Sequence, residues 1–219
     1  MSLDIRGVLF DMDGVLIDSM PEHYRAWSAA LGELGLSIEE EEIYLREGEK
    51  GEITARDVLK REGILPTARA IREILDMKEE IFRSSSKIKP FPSAERVVAE
   101  TAALGLPLGL VTGTSAGEME RVLPEPIRRY FSAFVTGDRV KYGKPSPEPY
   151  LTGILALHIQ PKQALVVENA PYGIRSAVTA GATCVAIRSV LSDEHLAGAH
   201  FLLDSIDDLP AFLKGKLAK

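Results

Sequence analysis

Two carboxylates stand two residues apart in Phe10-Asp11-Met12-Asp13-Gly14-Val15-Leu16-Ile17-Asp18-Ser19, directly after the apolar run Ile5-Arg6-Gly7-Val8-Leu9-Phe10. Gly14 follows at once and lets the backbone turn away. Paired acids where a strand meets its loop suit metal and phosphate chemistry. Three later segments carry polar groups after similar apolar runs. Val111-Thr112-Gly113-Thr114-Ser115 offers a hydroxyl and backbone N–H groups to an anion, and Ser115 and Glu118 have the spacing of a capping box. Lys144 lies in Tyr142-Gly143-Lys144-Pro145-Ser146-Pro147-Glu148-Pro149, where the prolines stiffen the loop and start a helix, so the ammonium is anchored. Glu168 and Asn169 are two oxygen ligands suited to a hard cation such as Mg²⁺.

These groups need a scaffold that brings them together. Short, apolar, partly β-branched tracts at 5–10, 106–111, 133–136, 164–167 and 183–187, with a weaker one at 201–203, read as strands. Helical patterns at 94–104, 116–123, 148–157 and 172–180 separate most of them. Such alternation predicts an α/β fold, a three-layer Rossmann-like parallel sheet with right-handed crossovers. In an open parallel sheet, ligands bind beyond the carboxyl ends of the strands. All four polar sets fall at that end. Taken singly, each has a structural reading as a turn former, a helix cap, a solvated lysine or a loop, and their shared placement favours a site.

Between the first two strands of the core the rhythm breaks. About seventy residues show helix period without a strand, with one apolar stripe through Tyr24, Trp27, Leu31 and Leu34. Further helices run through Ile53, Val58 and Leu59, and through Ile71, Ile74, Leu75, Met77, Ile81 and Phe82. The expectation is an inserted helical cap over 19–86, with the catalytic core formed by 1–18 and 87–219. The small, polar, proline-rich tract 84–92 reads as a return hinge, and the outgoing hinge lies just after Asp18. Both flank the acidic segment, so a rotating cap could close over it and exclude water. The acidic run 39–42 reads as a solvated helix face.

The chain of 219 residues, 45% of them hydrophobic, can bury a sizeable core. With 26 Lys and Arg against 32 Asp and Glu, its net charge of -6 argues against nucleic acid as a partner. Its lone cysteine, Cys184, sits in a strand-like run, which fits a buried thiol and a reducing, cytoplasmic setting. No stretch reads as a bilayer span, and charged residues near the start replace the apolar run of a secretory peptide.

The segment Asp11-Met12-Asp13-Gly14-Val15-Leu16, followed in order by Thr112, Lys144 and Glu168-Asn169, resembles the haloacid dehalogenase superfamily of phosphohydrolases. The likeness covers nearly the whole chain. It implies that Asp11 attacks phosphorus and carries an aspartyl-phosphate, and that Asp13 protonates the leaving oxygen and later activates water. By the same likeness Lys144, Thr112 and the Gly113 amide position the nucleophile and phosphoryl oxygens. Mg²⁺ would be held by the Asp11 carboxylate, the Asp13 main-chain carbonyl and Asn169, with Glu168 ligating directly or through water. The family usually has a second acid where this chain has Asn169, an amide that can ligate but brings no charge. Members that cleave carbon–halogen bonds or phosphonates lack the second acid of the first motif, so Asp13 points to phosphoryl transfer.

His23-Tyr24-Arg25-Ala26-Trp27 is similar to the first cap helix of β-phosphoglucomutases and their sugar-phosphatase relatives. His23 either reaches the site to handle a proton or lies on a solvated face, and Trp27 belongs to the cap core. Arg46-Glu47-Gly48-Glu49-Lys50-Gly51 reads either as a substrate loop, with Arg46 and Lys50 meeting distal groups, or as a charged connection. The reading is a Mg²⁺-dependent phosphatase of a small phosphorylated metabolite of the sugar phosphate or phosphoglycolate class. The alternatives are a phosphomutase and, with Asn169 its only support, a binding protein that retains the fold without turnover.

Overall fold

The computed structural model describes residues 3–85 and 87–217. Strand β1 (Gly7–Phe10) leads to a short β2 (Ile17–Asp18) and then to four helices. These are α1 (Met20–Gly32), α2 (Glu40–Leu45), α3 (Gly51–Arg61) and α4 (Ala68–Arg83). The chain returns through β3 (Lys89–Pro90), α5 (Ala94–Ala102), β4 (Leu108–Val111), α6 (Ala116–Val122), α7 (Glu125–Arg128) and β5 (Phe131–Val135). It closes with α8 (Glu148–Ala156), β6 (Ala164–Glu168), α9 (Pro171–Thr179), β7 (Thr183–Ile187), α10 (Asp193–Leu196), β8 (Phe201–Leu203) and α11 (Leu209–Lys216).

Six strands form one parallel sheet in the order β5-β4-β1-β6-β7-β8. The chain builds outward from β1 through β4 to β5, then crosses back to β6 on the other side. That reversal puts the ends of β4, β1 and β6 side by side at the switch point, where a parallel sheet opens a crevice. Because side chains alternate across a strand, Leu9, Val166 and Cys184 face one layer and Val8, Phe10, Leu165, Val167 and Val185 face the other. The first face packs against Tyr150 and Ile154 of α8 and Ile174 and Ala177 of α9. The second packs against Val97 and Val98 of α5, Met119 of α6, and Leu209 and Leu213 of α11. Leu9, Phe10 and Val166 are wholly buried, and each contributes roughly 1.5–3 kcal/mol relative to exposure.

The inserted helices bury Trp27, Leu31, Ile43, Val58, Leu59, Ile71 and Ile74 among themselves, in a core continuous with the first face of the sheet. Leu34 lies beyond the end of α1 and is 47% exposed, so the apolar stripe stops one turn short of its expected length. The two connections to this unit run side by side as an antiparallel ribbon, Ile17 opposite Pro90 and Asp18 opposite Lys89. The return hinge is therefore partly a strand; its Ser86 lies outside the described residues. No helix among the described residues is long and apolar enough to cross a membrane.

Candidate active site

Asp11 leaves the carboxyl end of β1 with its amide bonded to the Val167 carbonyl of the neighbouring strand at 2.9 Å, which fixes the direction in which its side chain departs. Lys144 Nζ donates to Asp11 Oδ1 and to Glu168 Oε1, both at 2.6 Å. All three side chains are buried. A buried charge needs a partner at hydrogen-bond distance, and here one ammonium lies between two carboxylates. Their charges raise the Lys144 pKa despite the opposing cost of burial, so it remains charged. Glu168 accepts further from Tyr150 Oη at 2.6 Å and from the Asn169 amide at 2.9 Å. The family resemblance implies Glu168 among the metal ligands, directly or through water. In the structure both its oxygens already accept hydrogen bonds, and its carboxylate anchors Lys144.

Asp13 is held by donors from three directions. Ser19 Oγ donates to Oδ1 at 2.6 Å, and His23 Nε2 lies 3.4 Å from the same oxygen. Thr112 Oγ1 and Thr114 Oγ1 donate to Oδ2 at 3.2 and 3.1 Å. Burial alone would raise its pKa, but the bond and charge of His23 and the hydroxyls of Ser19 and Thr114 outweigh it and draw Asp13 down to about 2. Asp11 moves the other way. Burial, opposed by the Lys144 ammonium and aided by the charges of Glu168 and Asp13, pushes it above the ordinary carboxylate value. The two acids of the first motif thus occupy opposite electrostatic environments.

Among the described residues, two buried oxygens, Asp11 Oδ2 and Asn169 Oδ1, have no donor. Orphaned buried acceptors are costly, and a hard, oxygen-seeking cation would satisfy both. Among the described residues no group of three His, Cys, Asp or Glu side chains is arranged as a metal cage. A site built from one carboxylate, an amide oxygen and a main-chain carbonyl needs no such group, so the donor chemistry fits Mg²⁺. Gly14, at φ +78°, allows the close approach of Asn169; a Cβ there would come within 2.1 Å of Asn169 Nδ2.

Above these residues lies a chamber of about 410 Å³ between core and inserted helices, lined among others by His23, Glu47, Lys78, Phe82, Gly113 and Glu118. His23 is buried, stacked on the Phe82 ring at 4.2 Å, and reaches Asp13, so of its two sequence readings the structure supports the one inside the site. Trp27 is buried in the helical core. The cations expected to meet substrate are otherwise engaged. Arg46 bonds Glu49 at 2.8 Å and Asp57 at 3.1 Å and lies 3.3 Å from Glu42, while Lys50 Nζ donates to the Val140 carbonyl at 2.8 Å. Gly113 rests its backbone against Gly48 of the 46–51 loop. Ser115 caps α6 by accepting from the Glu118 amide, whereas the Glu118 carboxylate turns to Arg121 and to Arg83 at 3.5 Å.

A family model of haloacid dehalogenase-like hydrolases matches residues 5–181. The chain belongs to that family. It is 30% identical to hexitol phosphatase A of Escherichia coli (strain K12) over 211 residues, 93% of each chain. Fructose-1-phosphate phosphatase YqaB of the same organism is 32% identical and covers 83% of this chain and 96% of its own. A solved structure from Bacteroides vulgatus, presented as a candidate β-phosphoglucomutase, superposes with a TM-score of 0.89 at 36% identity, covering 100% of this chain and 92% of that one.

In this haloacid dehalogenase-like hydrolase, Thr114, Ser19, Glu47 and Lys78 enter the site without having been singled out from the sequence. Glu47 is pushed well above the usual carboxylate range by loss of hydration and by the charges of Asp13 and Asp11, which places it in their field. Lys78 holds its ammonium 4.8 Å from the Phe82 centroid and forms no ion pair among the described residues. Burial lowers its pKa, with Glu47 and Asp13 opposing. Thr114 and Ser19 stand within the quoted 111–115 and 10–19 segments and Glu47 in the glycine-containing 46–51 loop, whereas Lys78 carries no such signal.

Proposed function

We propose that the protein is a Mg²⁺-dependent phosphatase of a small phosphorylated metabolite, of the sugar phosphate or phosphoglycolate class, working through an aspartyl-phosphate. The observation that carries this reading is the pair of 2.6 Å contacts by which Lys144 holds Asp11 at the carboxyl end of β1, beside an Asp13 bound by two threonines. Asp11 Oδ2 and Asn169 Oδ1, with the Asp13 main-chain carbonyl, would hold the cation, which when bound neutralises charge on the transferring group and on Asp11. Lys144 keeps Asp11 aimed, so its carboxylate oxygen forms the bond to phosphorus as the ester P–O bond breaks.

Asp13, ionised at rest, takes up a proton from the chamber by way of His23 and delivers it to the leaving oxygen in this first transfer. In the second it takes a proton from the water that attacks the aspartyl-phosphate, which regenerates Asp11 and releases inorganic phosphate. His23, in contact with Asp13 and screened by Phe82, is placed to exchange that proton with the chamber. Thr112 and Gly113 orient the phosphoryl oxygens, and Lys78, a chamber cation without an ion pair among the described residues, takes the part expected of Arg46 and Lys50. Residues 19–86 act as a cap hinged at the 17–18 and 89–90 ribbon, over a core of 1–18 and 87–219. The buried, lone Cys184 suits a cytoplasmic setting.

Phosphate release from a panel of sugar phosphates, phosphoglycolate, pyrophosphate and an aryl phosphate, with and without Mg²⁺, tests the reading. Metal-dependent turnover of at least one phosphomonoester is expected, and none on any would overturn it. The likeness to a candidate β-phosphoglucomutase favours a second reading, a phosphomutase. Bisphosphate-primed isomerisation of β-glucose 1-phosphate, outpacing phosphate release, would establish it.

A further inference from the structure

The 46–51 loop touches the core through backbone rather than through the side chains its sequence advertises. Gly48 has φ +79°, and a Cβ on it would come within 2.3 Å of Lys144 Cδ. A Cβ on Gly113 would lie 3.0 Å from Gly48 Cα, and one on Gly143 would lie 3.1 Å from Lys50 Cγ and 3.2 Å from the Gly48 carbonyl oxygen. Three glycines from three separate loops thus form a seam in which main chain rests on main chain and on the lysine stem. Lys50 sits at its edge and donates across it to the Val140 carbonyl at 2.8 Å.

The receiving loop is itself braced. Glu148, at the start of α8, accepts from the amides of Lys141 at 2.7 Å and Tyr142 at 2.9 Å. The loop that takes the Lys50 bond is therefore stiff, and four residues later it delivers Lys144 to Asp11.

We propose that Lys50 is a positioning residue, a latch whose ammonium fastens the cap loop to the Val140 carbonyl and so seats Gly48 against the Lys144 stem. Cap closure and the placement of Lys144 then become one event. A latch of this kind acts before the substrate's leaving group matters, whereas a substrate-binding lysine would act on particular leaving groups. The kinetic test rests on the phosphatase reading; the fluorescence test below does not.

Trp27 is the sole tryptophan, lines the chamber, and lies 3.4 Å from the position of a Cβ on Gly51, beside the latch. Its quenching by acrylamide reports whether the chamber is shut. Lys50→Met keeps the apolar stem and loses the donor; Lys50→Arg restores one. Lys50→Met is expected to lower kcat/KM by roughly tenfold or more for aryl phosphate and sugar phosphate alike, mainly through kcat. It should also raise acrylamide quenching of Trp27, and Lys50→Arg should recover most of both. A rise in KM confined to substrates with a second anionic group, or unchanged quenching in Lys50→Met, would overturn the latch. Should the wild type hydrolyse no phosphate ester, the phosphatase reading fails and the quenching of the three proteins still decides the latch.

Discussion

At Asp13, Ser19 and His23 approach from the cap side while Thr112 and Thr114 approach from the β4 loop, so this carboxylate senses both halves of the molecule. The pH behaviour of its partner follows. Burial, with Lys78 adding and Asp13 opposing, lowers the His23 pKa below its ordinary 6.5. As pH falls below 6.5 the unfolded chain takes up a proton that the native state resists, so stability present above 6.5 is lost on acidification. Urea unfolding of His23→Gln at several pH values should therefore show a shallower loss between neutrality and mild acid than the wild type. Equal slopes would count against a buried, neutral His23. At Asn169, replacement by Asp adds charge beside an orphaned acceptor, and half-maximal phosphate release should occur at roughly tenfold lower Mg²⁺. Arg46→Ala should leave kcat/KM nearly unchanged, because Arg46 is tied to Glu42, Glu49 and Asp57, but should lower unfolding free energy by about 1 kcal/mol. A large kinetic effect would return Arg46 to the substrate.

Among the elements, the seam formed by Gly48, Gly113 and Gly143 is the most sensitive to added atoms. Gly48→Ala introduces both a strained positive φ and a methyl 2.3 Å from Lys144 Cδ, so kcat/KM should drop by roughly a hundredfold with the fold intact by circular dichroism. The strands were legible because each is a short apolar run between turn residues; 183–187 matches β7 end to end. The site's position followed from topology, since residues just past β1, β4 and β6 must meet where strand order reverses. Less was legible where partners decide. Arg46 and Lys50 carry the charge expected of substrate ligands, yet periodicity says nothing of the carboxylates and carbonyl that claim them. The β2–β3 ribbon pairs two residues with two, too few for any alternation to show. Helix α2 buries only Ile43 and Tyr44, so its apolar signal is faint; of the acidic run at its start, Glu39, Glu40 and Glu41 are exposed as expected, while Glu42 is half-buried against Arg46 and Arg61.

For the whole molecule, the proposed function divides the work between one crevice at the switch point, for phosphoryl transfer, and one inserted helical unit, for access. The core holds Asp11, Lys144 and Glu168 in a buried charge cluster, and the insertion contributes His23, Glu47 and Lys78 to the chamber above it. Family membership and the phosphatases among its relatives set the reaction class. The central claim is that Asp11 carries the phosphoryl group. A rapid-quench experiment on Asp13→Asn with an aryl phosphate and Mg²⁺ tests it most directly, because such a leaving group needs no acid and the missing base strands the intermediate. The account predicts a stoichiometric burst of phenolate and a phosphoryl mass increment on the peptide containing Asp11, both absent from Asp11→Asn. Turnover by Asp11→Asn, or a burst with no phosphorylated Asp11 peptide, would contradict it.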